Sequence, residues 1–332
     1  MPDNDCSLVV VGASAGGVEA LQRFVHALPG DFTAPVLIVL HASPTGRSYL
    51  PEILSRAGSL PAVHALDGAP LEPGHIYVAP PDSHLVIANG HMSLAKGPRE
   101  NGHRPAIDPL FRTAADAYDS HVAGVVLSGT LDDGTVGLHC IKVAGGATLV
   151  QDPGDALYRD MPENAIAYVH PDYVQPVEEL VETLVRLTAS APTNGRRPPM
   201  APETLPDAAP APAAEIAQPG EMVSFSCPDC GGTLWETQAG GTASYRCRVG
   251  HAYTLNNLLA RQGDSVERAL WTAYRALEER SAMSRRVARR LAERGREESA
   301  ARFERQAETA ERNAAELKDV LDAFEAAPQA TD

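Results

Sequence analysis

The first 188 residues predict an α/β fold built on a largely parallel sheet. Short apolar runs recur at SLVVVG, APVLIVLHAS, HIYVAP, VAGVVLSG and GATLVQD, and each ends in a small-residue or turn sequence. Helical patterns follow several of these runs, and such alternation is what a parallel sheet with crossover helices requires. One stretch departs from the pattern: HLVIANGHMSLA places Asn89-Gly90 between two short alternating runs, which predicts a β-hairpin.

Beyond this segment the composition changes. Residues 189–221, containing APTNGRRPPMAPETLPDAAPAPAAEIAQPG, are rich in proline and alanine without apolar periodicity, and read as an extended, semi-stiff linker. Residues 222–253 hold CPDCGG and RCRVGH around a short stretch of β character. Residues 254–325 are charged and helical in pattern, with Thr254 as the expected N-cap. LLARQ and VERALWTAYRAL have helical spacing, and Met283, Val287, Leu291, Phe303, Leu317, Val320, Leu321 and Phe324 follow among many charges. A helical hairpin or coiled-coil arm fits this pattern better than a globular core. RRVARRLAERGR (285–296) is locally basic; it reads as a solvated helix surface beside Glu293, Glu297 and Glu298, or as a face for an acidic partner.

Several functions are excluded at this level. A formal charge of −15 makes nucleic acid an unexpected partner. Hydrophobic residues are 44% and charged residues 21%, yet no apolar run approaches the roughly 20 residues that cross a bilayer, so no membrane insertion is expected. The start, MPDNDCSLVV, lacks the basic region and apolar segment of a secretory signal, which predicts a cytoplasmic protein.

The turn after the first strand carries the chemistry. In VVVGASAGGVEAL, Ser14 occupies the second glycine position of the dinucleotide pattern GxGxxG, which therefore fails; Gly12, Ser14 and Gly16 satisfy GxSxG instead. In that arrangement a tight strand-to-helix turn presents the serine oxygen, and backbone N–H groups at the helix start can hold an oxyanion. Small residues in such a turn also serve helix packing. A nucleophilic serine needs a base, and an open α/β sheet gathers functional groups at the carboxyl ends of its strands. PVLIVL ends directly in His41, which is favoured by position over His26, His64, His75, His84, His91, His103, His121, His139 and His170. A carboxylate to orient it comes from VAGVVLSGTLDDG, where the loop carries Asp132 and Asp133; an Asp-Gly pair is equally ordinary turn chemistry. The order Ser, His, Asp differs from that of α/β-hydrolases, but geometry defines a triad, not order.

Taken together, GASAGGVEAL, LHASP, IYVAPPDSHL, HRPAIDPLFRTAA, VVLSGTLDDGTVGL and QDPGDALYRDMPENAI resemble, in order and spacing, the catalytic domain of the CheB-type protein-glutamate methylesterases of bacterial chemotaxis. The resemblance covers roughly residues 7–188. It implies a doubly wound α/β domain in residues 1–188 with a serine triad: Ser14 as nucleophile, His41 as base and Asp133 as acid, with Asp132 its exposed neighbour. The family reaction implied is hydrolysis of glutamate γ-methyl esters on receptor helices to carboxylate and methanol, with glutamine deamidation in some members and no catalytic cofactor. The sequence departs from the family at Ala15, where threonine is typical, and at Thr130 and Leu131, where a GMGxDG-like loop has methionine and glycine. The family's N-terminal receiver domain is not expected, because the first strand begins near Ser7.

The C-terminal module carries a separate signal. Cys227 and Cys230 flank two residues, Cys247 and His251 flank three, and a short hairpin, WETQAGGTASYR, joins the pairs. Four such ligands suit a closed tetrahedral Zn²⁺ site with a structural role. Cys6 and Cys140 lie outside it.

The leading reading is a methylesterase whose zinc module and helices select a partner or location: methylated receptor-like helices as substrate, and a regulatory protein on the helices. Two alternatives stand beside it. One is an esterase or amidase acting on another substrate with the same triad, and the other is a catalytically reduced signalling adaptor.

Overall fold

The computed structural model describes residues 6–189, 220–239 and 242–326. They fall in two units, residues 1–258 and 259–332. In chain order the first unit begins β1 (Leu8–Ala13), α1 (Gly17–Ala27), β2 (Val36–Leu40), α2 (Leu50–Ala57), β3 (Ala62–His64), β4 (Ile76–Val78), β5 (His84–Ala88), β6 (His91–Ala95) and α3 (Ile107–Tyr118). There follow β7 (Val122–Val126), α4 (Thr135–Val143), β8 (Ala147–Gln151), α5 (Asp160–Val169), β9 (Tyr173–Gln175) and α6 (Val177–Ala189). Seven strands form one parallel sheet in the order β3-β4-β2-β1-β7-β8-β9.

Burial on both faces explains why β1 reads as an unbroken apolar run rather than an alternating one. Val9 and Val11 pack with Leu21, Phe24, Leu180 and Leu184 of α1 and α6. Leu8 and Val10 pack on the other face with Ile107, Leu110, Phe111, Leu138 and Met161 of α3, α4 and α5. Helices on both faces make the sheet doubly wound. The chain runs outward from β1 through β2 and later returns to β7 on the opposite side of β1. In open α/β sheets such a reversal marks the place where functional groups gather, here the carboxyl ends of β2, β1 and β7.

The β5–β6 hairpin forms as its sequence predicts, with Asn89 at φ 52° and Gly90 at φ 75° in the turn. This is the backbone that a two-residue Asn-Gly connection favours. Strands β3 and β9 have three residues each and pair on one side only, so neither leaves a readable period in the sequence.

Of the expected linker, Ala189 closes α6 and Glu221 opens the next strand; residues 190–219 lie outside the described residues. There follow β10 (Glu221–Ser226), β11 (Thr233–Ala239), β12 (Thr242–Cys247) and β13 (Ala252–Thr254), which form one antiparallel sheet in that order. Its core is small: Cys227, Leu234, Tyr245, Cys247, Tyr253 and Leu258. Thr254 caps the helix that follows, its Oγ1 accepting the Asn257 N–H at 3.3 Å.

The second unit is a pair of helices, the continuation of α7 (Leu255–Ala292) and α8 (Glu297–Ala326), joined at Gly295 with φ 71°. Their seam is built from Ser281, Ser284, Ala288, Ala300, Ala307, Ala310, Ala314 and Leu321, all buried. Small residues let two backbones approach, and Glu311 bridges the helices by accepting from Ser281 Oγ (3.1 Å) and Arg285 Nη2 (2.7 Å). Of the large apolar residues noted in the sequence, Leu321 is buried, whereas Met283, Val287, Val320 and Phe324 are exposed.

Candidate active site

Strand register brings the first two candidate residues together. Ala13 of β1 pairs with Leu40 of β2, so Ser14 and His41 are the next residues of adjacent strands. His41 Nδ1 lies 3.0 Å from Ser14 Oγ, and His41 Nε2 lies 2.7 Å from Asp133 Oδ2. An ionised Asp133 only accepts, so the ring proton sits on Nε2 and Nδ1 is left to accept from the serine hydroxyl.

The GxSxG turn has a separate reason at each glycine. At Gly12 a side chain would run into Ile107 of α3. Gly16, at φ 67°, makes the left-handed turn into α1. Ser128, at the end of the β7 segment, braces this turn: its carbonyl accepts the Ser14 N–H at 2.9 Å, and its hydroxyl donates to the Ala15 carbonyl at 2.8 Å.

Asp133 is buried, and its surroundings keep it ionised. Burial opposes the charge, but the hydrogen bond from His41, with those from the Ile107 N–H (2.7 Å) and Asn101 Nδ2 (2.8 Å), holds it well below the usual carboxylate range. The Ile107 N–H belongs to the first turn of α3, a helix end that favours an anion. The neighbouring Asp108 behaves oppositely: burial first, then the Asp133 charge, push its carboxyl well above the ordinary value. The two buried carboxyls are thus pushed in opposite directions, Asp133 down and Asp108 up.

His103 stacks on the His41 ring at a centroid distance of 3.7 Å and an interplanar angle of 5°. It holds the ring in the plane that reaches both partners. His103→Ala is expected to lower kcat by about tenfold to a hundredfold with the fold intact, because small misplacements of a catalytic group cost that much; His103→Phe should recover most of the loss in the same steady-state assay. Among the other histidines, His84 is occupied structurally, accepting the Ala106 N–H at Nδ1 (3.2 Å) and facing the Pro98 carbonyl at Nε2 (3.0 Å).

One expectation is overturned. Asp132 is not exposed but 5% accessible, and its Oδ1 accepts from Thr254 Oγ1 at 2.6 Å and from Asn257 Nδ2. The sequence of the Asp-Asp-Gly loop contains nothing of these partners, which arrive from more than a hundred residues away. Burial pushes the Asp132 carboxyl up to about 6, against the pull of the Thr254 and Asn257 hydrogen bonds. The native state therefore keeps the proton after the unfolded chain has lost it, so this group removes stability as pH rises from about 4 to 6. Relative to Asp132→Asn, the wild type should lose roughly 3 kcal/mol across that window in urea denaturation.

Leu131 takes φ 62° in this loop, the conformation a glycine adopts freely, and its carbonyl accepts from Asn164 Nδ2 at 2.8 Å. Asn101, His103, Ser128 and Asn164 are the supporting residues that sequence reasoning did not single out. HRPAIDPL, VVLSG and QDPGDALYRDMPENAI carried His103, Ser128 and Asn164 as motif letters, without a signal for their roles.

The metal candidates converge as well. The ligand atoms of Cys227, Cys230, Cys247 and His251 all lie within 4.8 Å of one another. Cys230 Sγ is 3.7 Å from Cys247 Sγ, and His251 Nδ1 is 3.6 Å from Cys227 Sγ and 3.4 Å from Cys247 Sγ. A tetrahedron with Zn–S near 2.3 Å and Zn–N near 2.0 Å has edges of about 3.5–3.8 Å, so the donor set fits the ion. Backbone turns aim the thiols: the Gly231 N–H donates to the Cys227 carbonyl (2.7 Å) and the Gly250 N–H to the Cys247 carbonyl (2.9 Å).

Comparison with known proteins places the chain in a family. A protein from Syntrophus aciditrophicus named protein-glutamate methylesterase/protein-glutamine glutaminase 1 is 37% identical over 187 residues, 55% of this chain and 53% of that protein. A Leptospira interrogans protein, whose name carries the same two activities provisionally, is 37% identical over 180 residues, 54% of this chain and 93% of its own length. The chain thus spans nearly all of one relative and about half the length of the other. The crystal structure of the Thermotoga maritima CheB methylesterase catalytic domain matches with a TM-score of 0.53 and 34% identity, over 55% of this chain and 98% of that one. The CheB methylesterase family model matches residues 9–184, and with more than half of its length so matched, the chain belongs to the CheB methylesterase family.

Proposed function

We propose that this protein hydrolyses glutamate γ-methyl esters on receptor-type helices to glutamate and methanol, with Ser14, His41 and Asp133 as its catalytic triad. The observation that carries the reading is the hydrogen-bonded chain from Ser14 Oγ through His41 to Asp133 at the carboxyl ends of three neighbouring strands. His41 Nδ1 takes the proton as Ser14 Oγ attacks the ester carbonyl. The oxyanion is held by backbone N–H groups at the start of α1. Collapse expels methanol, to which His41 returns the proton; methoxide is a poor leaving group, so this transfer matters. Water, deprotonated by His41, then attacks the acyl-enzyme, and Ser14 leaves with the proton. Asp133 fixes the ring and stabilises the imidazolium throughout.

The same steps on a glutamine side chain release ammonia, and the relatives' names include that activity. Zinc on Cys227, Cys230, Cys247 and His251 is assigned a structural role, because four protein ligands close the site to substrate. No helix among the described residues is long and apolar enough to cross a membrane. The enzyme is assigned to the cytoplasm, where it acts on the cytoplasmic parts of receptors, and the two-helix unit is assigned to a regulatory partner.

The test offers the protein three substrates: methylated receptor helices, the corresponding glutamine peptides, and a small generic ester. A kcat/KM at least tenfold higher for the methylated helix supports the assignment. Preference for either of the others moves the substrate assignment to that class.

A further inference from the structure

Two residues of the C-terminal addition reach the loop that carries the triad acid. β13 ends at Thr254 and α7 begins at Leu255, and this corner lies against residues 99–101 and 132 within the first unit. Thr254 Oγ1 donates to Asp132 Oδ1 at 2.6 Å, and Asn257 Nδ2 donates to the same oxygen. The Thr254 N–H donates to Asn101 Oδ1 at 3.0 Å, and the Asn101 N–H donates to the Ala252 carbonyl at 2.8 Å. Asn101 in turn donates from Nδ2 to Asp133 Oδ1 at 2.8 Å. Asn101, Asp132, Thr254 and Asn257 are all at most 5% accessible.

These bonds grip the acid from two sides. Asp132 is covalently next to Asp133, so fixing its carboxylate fixes the backbone from which Asp133 extends. Asn101 holds the carboxylate of Asp133 itself, and its orientation depends on the Thr254 N–H and the Ala252 carbonyl. Buried hydrogen bonds to ionised groups are the strong ones, and leaving such a group without a partner is costly. A weak surface contact between two modules has neither this burial nor this convergence on one loop.

We propose that Thr254 and Asn257 are positioning residues for the triad acid, so that the zinc module and the first turn of α7 form a working part of the esterase site. The inference rests on the triad reading above. His251, a candidate metal ligand, lies three residues before Thr254, immediately ahead of β13.

The full chain is compared with Thr254→Val, Thr254→Ser and Asn257→Ala. The first readout is the rate at which a fluorophosphonate labels Ser14, which reports triad reactivity whatever the natural ester. The second is the pH dependence of that rate. Each rate is normalised to the folded fraction from circular dichroism. Thr254→Val and Asn257→Ala are expected to label about tenfold or more slowly. Their rising pH limb should lie at lower pH, because a misplaced Asp133 stabilises the imidazolium less. Thr254→Ser, which keeps the hydroxyl, recovers most of the rate. A merely structural role lowers the folded fraction and leaves the normalised rate and the pH limb unchanged; that result overturns the clamp while the triad stands. Failure of the wild type to label at Ser14 overturns the triad reading and the clamp with it.

Discussion

His41→Ala is expected to lower kcat for methyl-ester hydrolysis at least about a thousandfold, equivalent to about 4 kcal/mol of lost transition-state stabilisation. The ring occupies the single position that reaches both Ser14 Oγ (3.0 Å) and Asp133 Oδ2 (2.7 Å). Without it no other group in this hydrogen-bonded chain can take the serine proton. Asp133→Asn should cost a comparable factor for a different reason: an amide NH₂ facing Nε2 favours the tautomer whose Nδ1 carries the proton and cannot accept from Ser14. In both variants the main sheet should keep its thermal transition, since the side chains lie at strand ends outside the two apolar layers. Steady-state methanol release and calorimetry check these statements. Retention of most of the activity in His41→Ala contradicts the assignment of His41 as the base.

The second large effect concerns the metal. Among the described residues the apolar cluster of the four-stranded module is small, with six buried side chains, two of which are the cysteines Cys227 and Cys247. So small a core does not offset the conformational entropy of ordering the segment, whereas structural zinc supplies on the order of 10 kcal/mol in small metal-dependent folds. Cys247→Ser is expected to bring bound zinc from about one equivalent per chain to near zero, and to abolish hydrogen-exchange protection in β11 and β12. Protection in β1, β2 and β7 should persist. Elemental analysis and exchange mass spectrometry provide the two readouts. Full protection of β11 and β12 in a zinc-free protein would show that the sheet sustains itself without an ion.

What was legible in the sequence follows from what is local. The central strands could be read because burial on both faces leaves an unbroken apolar run, as in VVVGA. The edge strands Ala62–His64 and Tyr173–Gln175 could not, since three residues pairing on one side carry no period. Ser14 was readable because the turn demands Gly12 and Gly16 around it, and His41 because it ends a strand. The choice of Asp133 over Asp132 came from family resemblance, since two adjacent aspartates in a turn are locally equivalent. Three dimensions separate them: Asp133 meets His41 and the first turn of α3, while Asp132 faces Thr254 and Asn257. These contacts join residues from four distant stretches of chain, which is why Asn101, His103 and the buried state of Asp132 left no local trace. The two-helix unit illustrates the same limit. Helical spacing was visible, but apart from Leu321 the seam described above consists of alanines and serines, whose small side chains carry little hydrophobic signal.

The most direct test of the central claim is methanol release from receptor-containing membranes carrying methylated glutamates, measured for the intact protein and for Ser14→Ala. Release by the intact protein, reduced at least about a thousandfold in the folded Ser14→Ala variant, is the result the triad account predicts. Equal release by the two proteins, or none by the folded intact protein, would contradict it.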